Sequence, residues 1–182
     1  MSTNTMEKLP LSISLSHSNN IAISVVHDQY TVGIDLEKVE ERKPAFEKHW
    51  FFPKERLLIQ NLMKTNSSYT RDFLQTCIWS IKESVCKALT IGGMGGSNLR
   101  CIEILQISTN TAKIKMHGLA ESVYTKFGKP QLLIQHWMLT DKDISHYSQN
   151  SLEDRFIVTY VQIHTKKPIT SPIIINSLVE SA

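Results

Sequence analysis

The stretch from Tyr69 to Leu89 leaves the chain little choice of architecture. Leu74, Ile78, Ile81, Val85 and Ala88 recur at spacings of three and four, so on a helix they form one apolar stripe. A helix of that length is stable only if the stripe is buried against a partner surface. The partner is legible as sheet. Leu11 to Leu15 alternates apolar and hydroxyl side chains, as a half-buried strand does. Ile21 to Val26 is rich in β-branched residues, and Tyr30 to Glu37 reads as a third strand. The turn-forming runs His17 to Asn20 and His27 to Gln29 join these three into a short antiparallel meander. Cys101 to Ile107, Ala112 to Met116, Gln131 to Leu139 and Arg155 to Ile163 read as later strands. Leu119 to Phe127 reads as a short helix, broken by Gly128-Lys129-Pro130. Pro53-Lys54-Glu55 opens another helix, and the glycines of 92–96 stop the long one. The expected fold is α+β, an antiparallel sheet packed on one long helix, with a ligand cleft at the sheet edge. One domain spans 1–164. The remainder, 165–182, interrupted by Pro168 and Pro172, reads as a loose tail.

Composition narrows the functional classes. The 182 residues suffice for one domain with a real core. A net charge of +3 suits an acidic or phosphorylated ligand, yet no basic stripe with interleaved aromatics argues for nucleic acid. The three cysteines, Cys77, Cys86 and Cys101, are odd in number and show no Cys-x-x-Cys spacing. That pattern speaks for a reducing compartment, with Cys77 and Cys86 as packing residues of the long helix. The first residues lack the apolar core of a signal peptide, and no apolar run approaches a membrane span. A cytoplasmic location is expected.

The chemistry is concentrated in two segments. Asp35 and Glu37 lie two apart on the third strand, so both carboxylates point to one side. Held that close, they repel unless a cation or proton intervenes, and a set of oxygen ligands with open positions is what magnesium prefers. Taken alone, Asp-x-Glu is better explained by a solvated strand end. Trp79, Glu83 and Lys87 lie four apart on a face of the long helix other than the apolar stripe, beside Lys82. Glu83 and Lys87 alone would be a plain helix ion pair. If the stripe packs under the sheet, however, Glu83 reaches the rim near Asp35 and Glu37. Three acids sharing a metal, beside lysines that hold phosphate, suggest magnesium-assisted chemistry on a phosphate ester or anhydride. Ser16-His17-Ser18 at a strand-to-turn junction is a further phosphate-binding candidate. Glu55 lies beside an aromatic cluster of Phe46, His49, Trp50, Phe51 and Phe52 and reads as a first-turn acid. The glycines of 92–96 lack the lysine and hydroxyl of a Walker loop.

In chain order the motifs are Ser16-His17-Ser18, a strand, Gly33-Ile34-Asp35-Leu36-Glu37, an aromatic-Phe-x-x-x-Glu segment ending at Glu55, and Trp79-Ser80-Ile81-Lys82-Glu83-x-x-x-Lys87. From Leu11 to Leu89 this order and spacing resembles the 4'-phosphopantetheinyl transferases, chiefly the larger type that serves peptide and polyketide synthetases. The resemblance implies that Asp35, Glu37 and Glu83 bind magnesium, which holds the pyrophosphate of coenzyme A. It also implies that Lys87 contacts the pyrophosphate, that Lys82 supports the phosphates, and that Ser16 and His17 hold the ribose 3'-phosphate. Glu83 would serve as general base, and Glu55 would be a second acid of the catalytic site. The implied reaction moves phosphopantetheine from coenzyme A to a serine of an acyl or peptidyl carrier protein and releases 3',5'-ADP.

The larger type is built from two similar halves with the cofactor between them, whereas about ten residues precede the Leu11 strand here. A homo-oligomer whose neighbour completes the cleft is therefore expected. The alternatives are a half supplied by another protein, or a non-catalytic module that binds coenzyme A or a carrier. A magnesium-dependent phosphate-ester hydrolase is a third reading.

Overall fold

A computed structural model describes residues 11–92, 97–140, 143, 154–164 and 173–178. In chain order the elements are β1 (Ser12–Ser18), β2 (Ile21–His27), β3 (Thr31–Lys38), α1 (Pro44–Trp50), α2 (Pro53–Thr65) and α3 (Arg71–Ala88). A 3-10 turn over Ser97–Cys101 then leads to β4 (Ile102–Ile107), β5 (Ala112–Met116), α4 (Gly118–Lys126), β6 (Gln131–Leu139), β7 (Phe156–His164) and β8 (Ile173–Leu178). The class is α+β, as expected. The strands form antiparallel sheets ordered β1-β2-β8, β3-β7-β6 and β4-β5.

The N-terminal meander stops one strand short. β1 and β2 pair through a turn at Asn19, which takes a positive φ of 52°. β3 pairs with β7 instead of β2, matching Asp35 to Thr159 and Glu37 to Ile157. The reason lies in β1. Its hydroxyl face, not its apolar face, turns inward: Ser14 is buried, while Ile13 and Leu15 are 59% and 68% exposed. The serines then bond to the open edge of β3. Ser12, Ser14, Ser16 and Ser18 each accept the backbone N–H twenty residues on, at Val32, Ile34, Leu36 and Lys38, over 2.9–3.1 Å. Four side-chain oxygens thus satisfy donors that a further strand would otherwise take. They also fix the register of β1 along β3.

β3 divides the interior by its period of two. Val32, Ile34 and Leu36 join Ile23, Val25, Phe156, Val158 and Tyr160 in a core between the first two sheets. Gly33, Asp35 and Glu37 face α3. The long helix is buried on two faces. Leu74, Ile78, Ile81 and Val85 enter the second core, with Cys77 and Cys86 among them. Ser80 and Ser84 hydrogen-bond to the hydroxyl and carbonyl of Thr159 on β7, each at 2.9 Å. A Cβ on Gly33 would lie 2.0 Å from the carbonyl oxygen of Ser84 and 2.7 Å from the nitrogen of Ala88. Glycine at 33 is therefore what lets the helix backbone touch the strand.

Two expectations shift. The helix ends before the glycines: Ile91 donates its N–H to Cys86 O at 3.0 Å around Thr90, which takes a φ of 54°. Gly93 to Gly96 lie outside the described residues. Left-handed backbone is costly for a β-branched residue, so Thr90→Gly is expected to raise stability by up to about 1 kcal/mol, read as a higher urea midpoint. The segment read as a tail contributes a strand, since Ile173 to Leu178 pairs antiparallel with β2. Its run of three isoleucines after Pro172 is strong strand composition. Among the described residues, no helix is long and apolar enough to cross a membrane.

Candidate active site

Where β3 crosses α3, the alternation of the strand and the four-residue spacing of the helix bring charged groups together. Lys87 donates to Asp35 Oδ1 at 2.8 Å, to Ile34 O at 3.0 Å and to Ser16 Oγ at 3.2 Å. Ser16 in turn donates to the same Asp35 oxygen at 2.9 Å. The hydroxyl that closes the third rung of the serine ladder therefore also orients Asp35. About two turns back along the helix, the Trp79 indole N–H reaches Glu37 Oε1 at 3.0 Å. Arg42, in the segment after β3, reaches the other oxygen, Oε2, at 3.1 Å. The indole is held by rings: Phe46 lies 5.1 Å and Trp50 5.5 Å from it, centroid to centroid. Glu47, buried on α1, ties that helix to α3 by accepting from Arg71 and Gln75 at 2.6 and 2.7 Å.

The three acids share one electrostatic neighbourhood. Burial, then the charge of Asp35, pushes the Glu37 carboxyl up, against the pull of Arg42 and Trp79. Burial and the Asp35 charge likewise push Glu83 up, and Lys87 opposes them. Asp35 thus lies between the other two in its influence. As they stand, however, no three His, Cys, Asp or Glu side chains among the described residues are gathered to hold one metal ion. Lys87 and Arg42 take the acceptor positions instead. The donor set nonetheless suits a hard cation. Asp35 Oδ2 is buried without a hydrogen-bond partner among the described residues, and it belongs to the carboxylate whose charge acts on both Glu37 and Glu83.

Of the residues expected to act together, Ser16, Lys87 and Asp35 make direct contact, while Glu37 and Glu83 lie within reach of the Asp35 charge without closing into a three-acid group. His17 does not join them. It follows Ser16 on a strand, so it faces the opposite, exposed side. Lys82 and Glu55 are also apart from the cluster, each with a side chain 0% exposed. Lys82 donates to Glu55 Oε2 at 2.8 Å and to Trp50 O at 3.2 Å, over the rings of Phe51 and Phe52. Glu55 also accepts from Phe52 N and Ile104 N, both at 2.7 Å. Consecutive helix residues are about 100° apart, which sends Lys82 inward where Glu83 goes to the rim. In this structure the pair joins α2, α3 and β4 and touches no ligand-accessible surface. Sequence reasoning passed over Gly33 as a contact, Arg42 as a partner of Glu37 and the serine ladder. Only the last had a signal, the strict alternation of serine from 12 to 18.

A model of the 4'-phosphopantetheinyl transferase superfamily matches residues 31–155. No curated protein matches the sequence. Among solved structures, an ACPS–CoA complex from Chronobacterium ammoniagenes is similar at 15% identity and a TM-score of 0.47, covering 74% of this chain and 97% of that one. A holo-[acyl-carrier-protein] synthase from Neisseria meningitidis is similar at 16% identity and a TM-score of 0.46, covering 73% of this chain and 96% of that one.

Proposed function

The chain belongs to the 4'-phosphopantetheinyl transferase superfamily, and on that premise we propose that it moves the 4'-phosphopantetheine group of coenzyme A onto a serine of an acyl or peptidyl carrier protein. The observation that supports this reading is the Asp35 centre, where Ser16 and Lys87 share one carboxylate oxygen and the Asp35 charge reaches Glu37 and Glu83. Magnesium is the cation its oxygen donors suit; Asp35, Glu37 and Glu83 would hold it, and when bound it would neutralise charge on the pyrophosphate.

The chain's own residues divide the remaining work. Glu83, whose carboxyl is pushed up by burial and by the Asp35 charge, serves as general base for the carrier serine. The serine oxygen bonds to the β-phosphorus of coenzyme A as the bond to the bridging oxygen breaks. The departing 3',5'-ADP takes the negative charge. Lys87, once released from Asp35, stabilises that charge. Ser16 orients Asp35. His17, exposed, is kept for the ribose 3'-phosphate at the far end of the nucleotide. Lys82 and Glu55 act as a buried positioning pair and do not touch substrate.

We also propose that the protein is cytoplasmic and self-associates. The exposed apolar side chains of Leu11, Ile13 and Leu15 on one face of β1 support a covered surface.

Mass spectrometry of an apo carrier protein incubated with coenzyme A and magnesium is expected to show one phosphopantetheine adduct. Asp35→Ala and Glu83→Ala are expected to remove it, in proteins that melt cooperatively. No adduct across several carriers would defeat the reading. Release of 3',5'-ADP without a carrier would identify a hydrolase. Sedimentation on the same sample tests self-association, and a strict monomer that still transfers the group rules it out.

A further inference from the structure

Both oxygens of Glu37 are already occupied by protein donors. Trp79 holds Oε1 through a ring packed among other rings, so that bond is part of the core. The Arg42 bond to Oε2 is of another kind. Its guanidinium lies 4.9 Å over the Phe46 ring and its side chain is 17% exposed, so it is anchored near the site. Yet its hydrogen bonding is incomplete. The Nε is buried and has no partner among the described residues. A second carboxylate, that of Glu40, waits at 3.8 Å from Nη1 and is 56% exposed. A guanidinium with one good carboxylate, one loose one and an unused donor has somewhere else to go.

We infer that Arg42 is a built-in competitor for the divalent cation, occupying Glu37 while no metal is bound and moving toward Glu40 when the metal takes the carboxylate. The inference rests on the metal reading above. The acid cluster needs positive charge in either state, since Asp35 and Glu37 repel without it. Lys87 supplies it at Asp35 and Arg42 at Glu37. Metal loading would then be an exchange of cations, which holds the site together before loading and weakens the apparent affinity for metal.

The test is binding of Mn2+ alone, followed by electron paramagnetic resonance and calorimetry with no substrate present. Removing the competitor should tighten binding, so Arg42→Gln is expected to bind Mn2+ roughly tenfold more tightly than the unaltered protein. The effect must pass through Glu37. In a double-mutant cycle, Arg42→Gln should therefore change little when Glu37→Gln is already present. Lys38→Gln removes a charge from the next residue, whose partner is Asp154 at 2.8 Å, and controls for net charge. If Arg42→Gln melts early, Arg42→Lys keeps the charge but loses the planar fork, and a smaller tightening is expected. Unchanged or weaker binding in Arg42→Gln overturns the inference. So does a tightening that persists in the Glu37→Gln background or is matched by Lys38→Gln. Absence of saturable Mn2+ binding in every variant would defeat the metal reading itself, and the competitor with it.

Discussion

Gly33→Ala is expected to cost about 3 kcal/mol of stability or more, and to abolish transfer in whatever protein still folds. The added methyl would stand 2.0 Å from Ser84 O and 2.7 Å from Ala88 N. Overpacking a core by a methyl group typically costs about 1–3 kcal/mol, because a neighbouring side chain can turn aside. Here both neighbours are backbone atoms of a buried helix, so only movement of the whole helix relieves the clash. Trimming Ser84 to glycine should give no rescue. The backbone φ of Gly33 is not in the left-handed region, so the penalty is one of space alone. The helix that would move carries Trp79, Glu83 and Lys87, and β3 carries Asp35 and Glu37. A shift of about 1 Å between reacting groups can cost roughly a hundredfold in rate. Urea unfolding gives the first effect and the carrier adduct rate the second. An unaltered midpoint in Gly33→Ala would refute the close approach of helix and strand.

Periodicity made α3 legible. A stripe at spacings of three and four has one good solution, and Leu74, Ile78, Ile81 and Val85 are all buried as it demands. The same argument found the strand at β1, where alternation is just as regular, but left its facing open. A period of two says that two faces differ without saying which is inside. The usual assumption buries the apolar face. β1 instead buries its serines, because the edge of β3 offers four N–H groups that need acceptors more than the cores need Ile13 or Leu15. Pairing of β3 with β7 was beyond reach for a related reason. The partner lies more than a hundred residues on, and local turn signals favour the nearest strand.

At the site, spacing placed Asp35 and Glu37 on one face and Glu83 and Lys87 on another. Their meeting followed from the packing of the stripe. Spacing could not reveal that Lys82 belongs inside. On a helix surface its charge reads as exposure, and only the depth of α3 between sheet and α2 turns it inward. Arg42 had no signal, since it sits in an irregular polar run among Glu40, Glu41 and Lys43.

Burial of Lys82 with Glu55 has an energetic consequence large enough to separate a positioning pair from ligand-binding residues. Lys82→Met would leave the Glu55 carboxylate buried with two backbone donors and no counter-charge. Glu55→Leu would strand an ammonium and also leave the N–H groups of Phe52 and Ile104 without an acceptor. Breaking a buried pair from one side costs about 3–5 kcal/mol, and each orphaned N–H adds about 1–3 kcal/mol. Domains of this size are commonly stable by about 5–15 kcal/mol, so Glu55→Leu is expected to be unfolded or nearly so, and Lys82→Met strongly destabilised. The double variant Glu55→Leu/Lys82→Met removes both charges together. It should recover part of the loss, though not all, because the two N–H groups remain unpaired. A cycle in thermal melting would therefore show strong coupling between the positions. Residues that merely contacted coenzyme A would behave differently. Lys82→Met would then melt normally, bind coenzyme A weakly, and show no coupling to Glu55. The charge of Lys82 is thus spent on holding α2 and β4 against α3, the helix whose next residue, Glu83, faces the site.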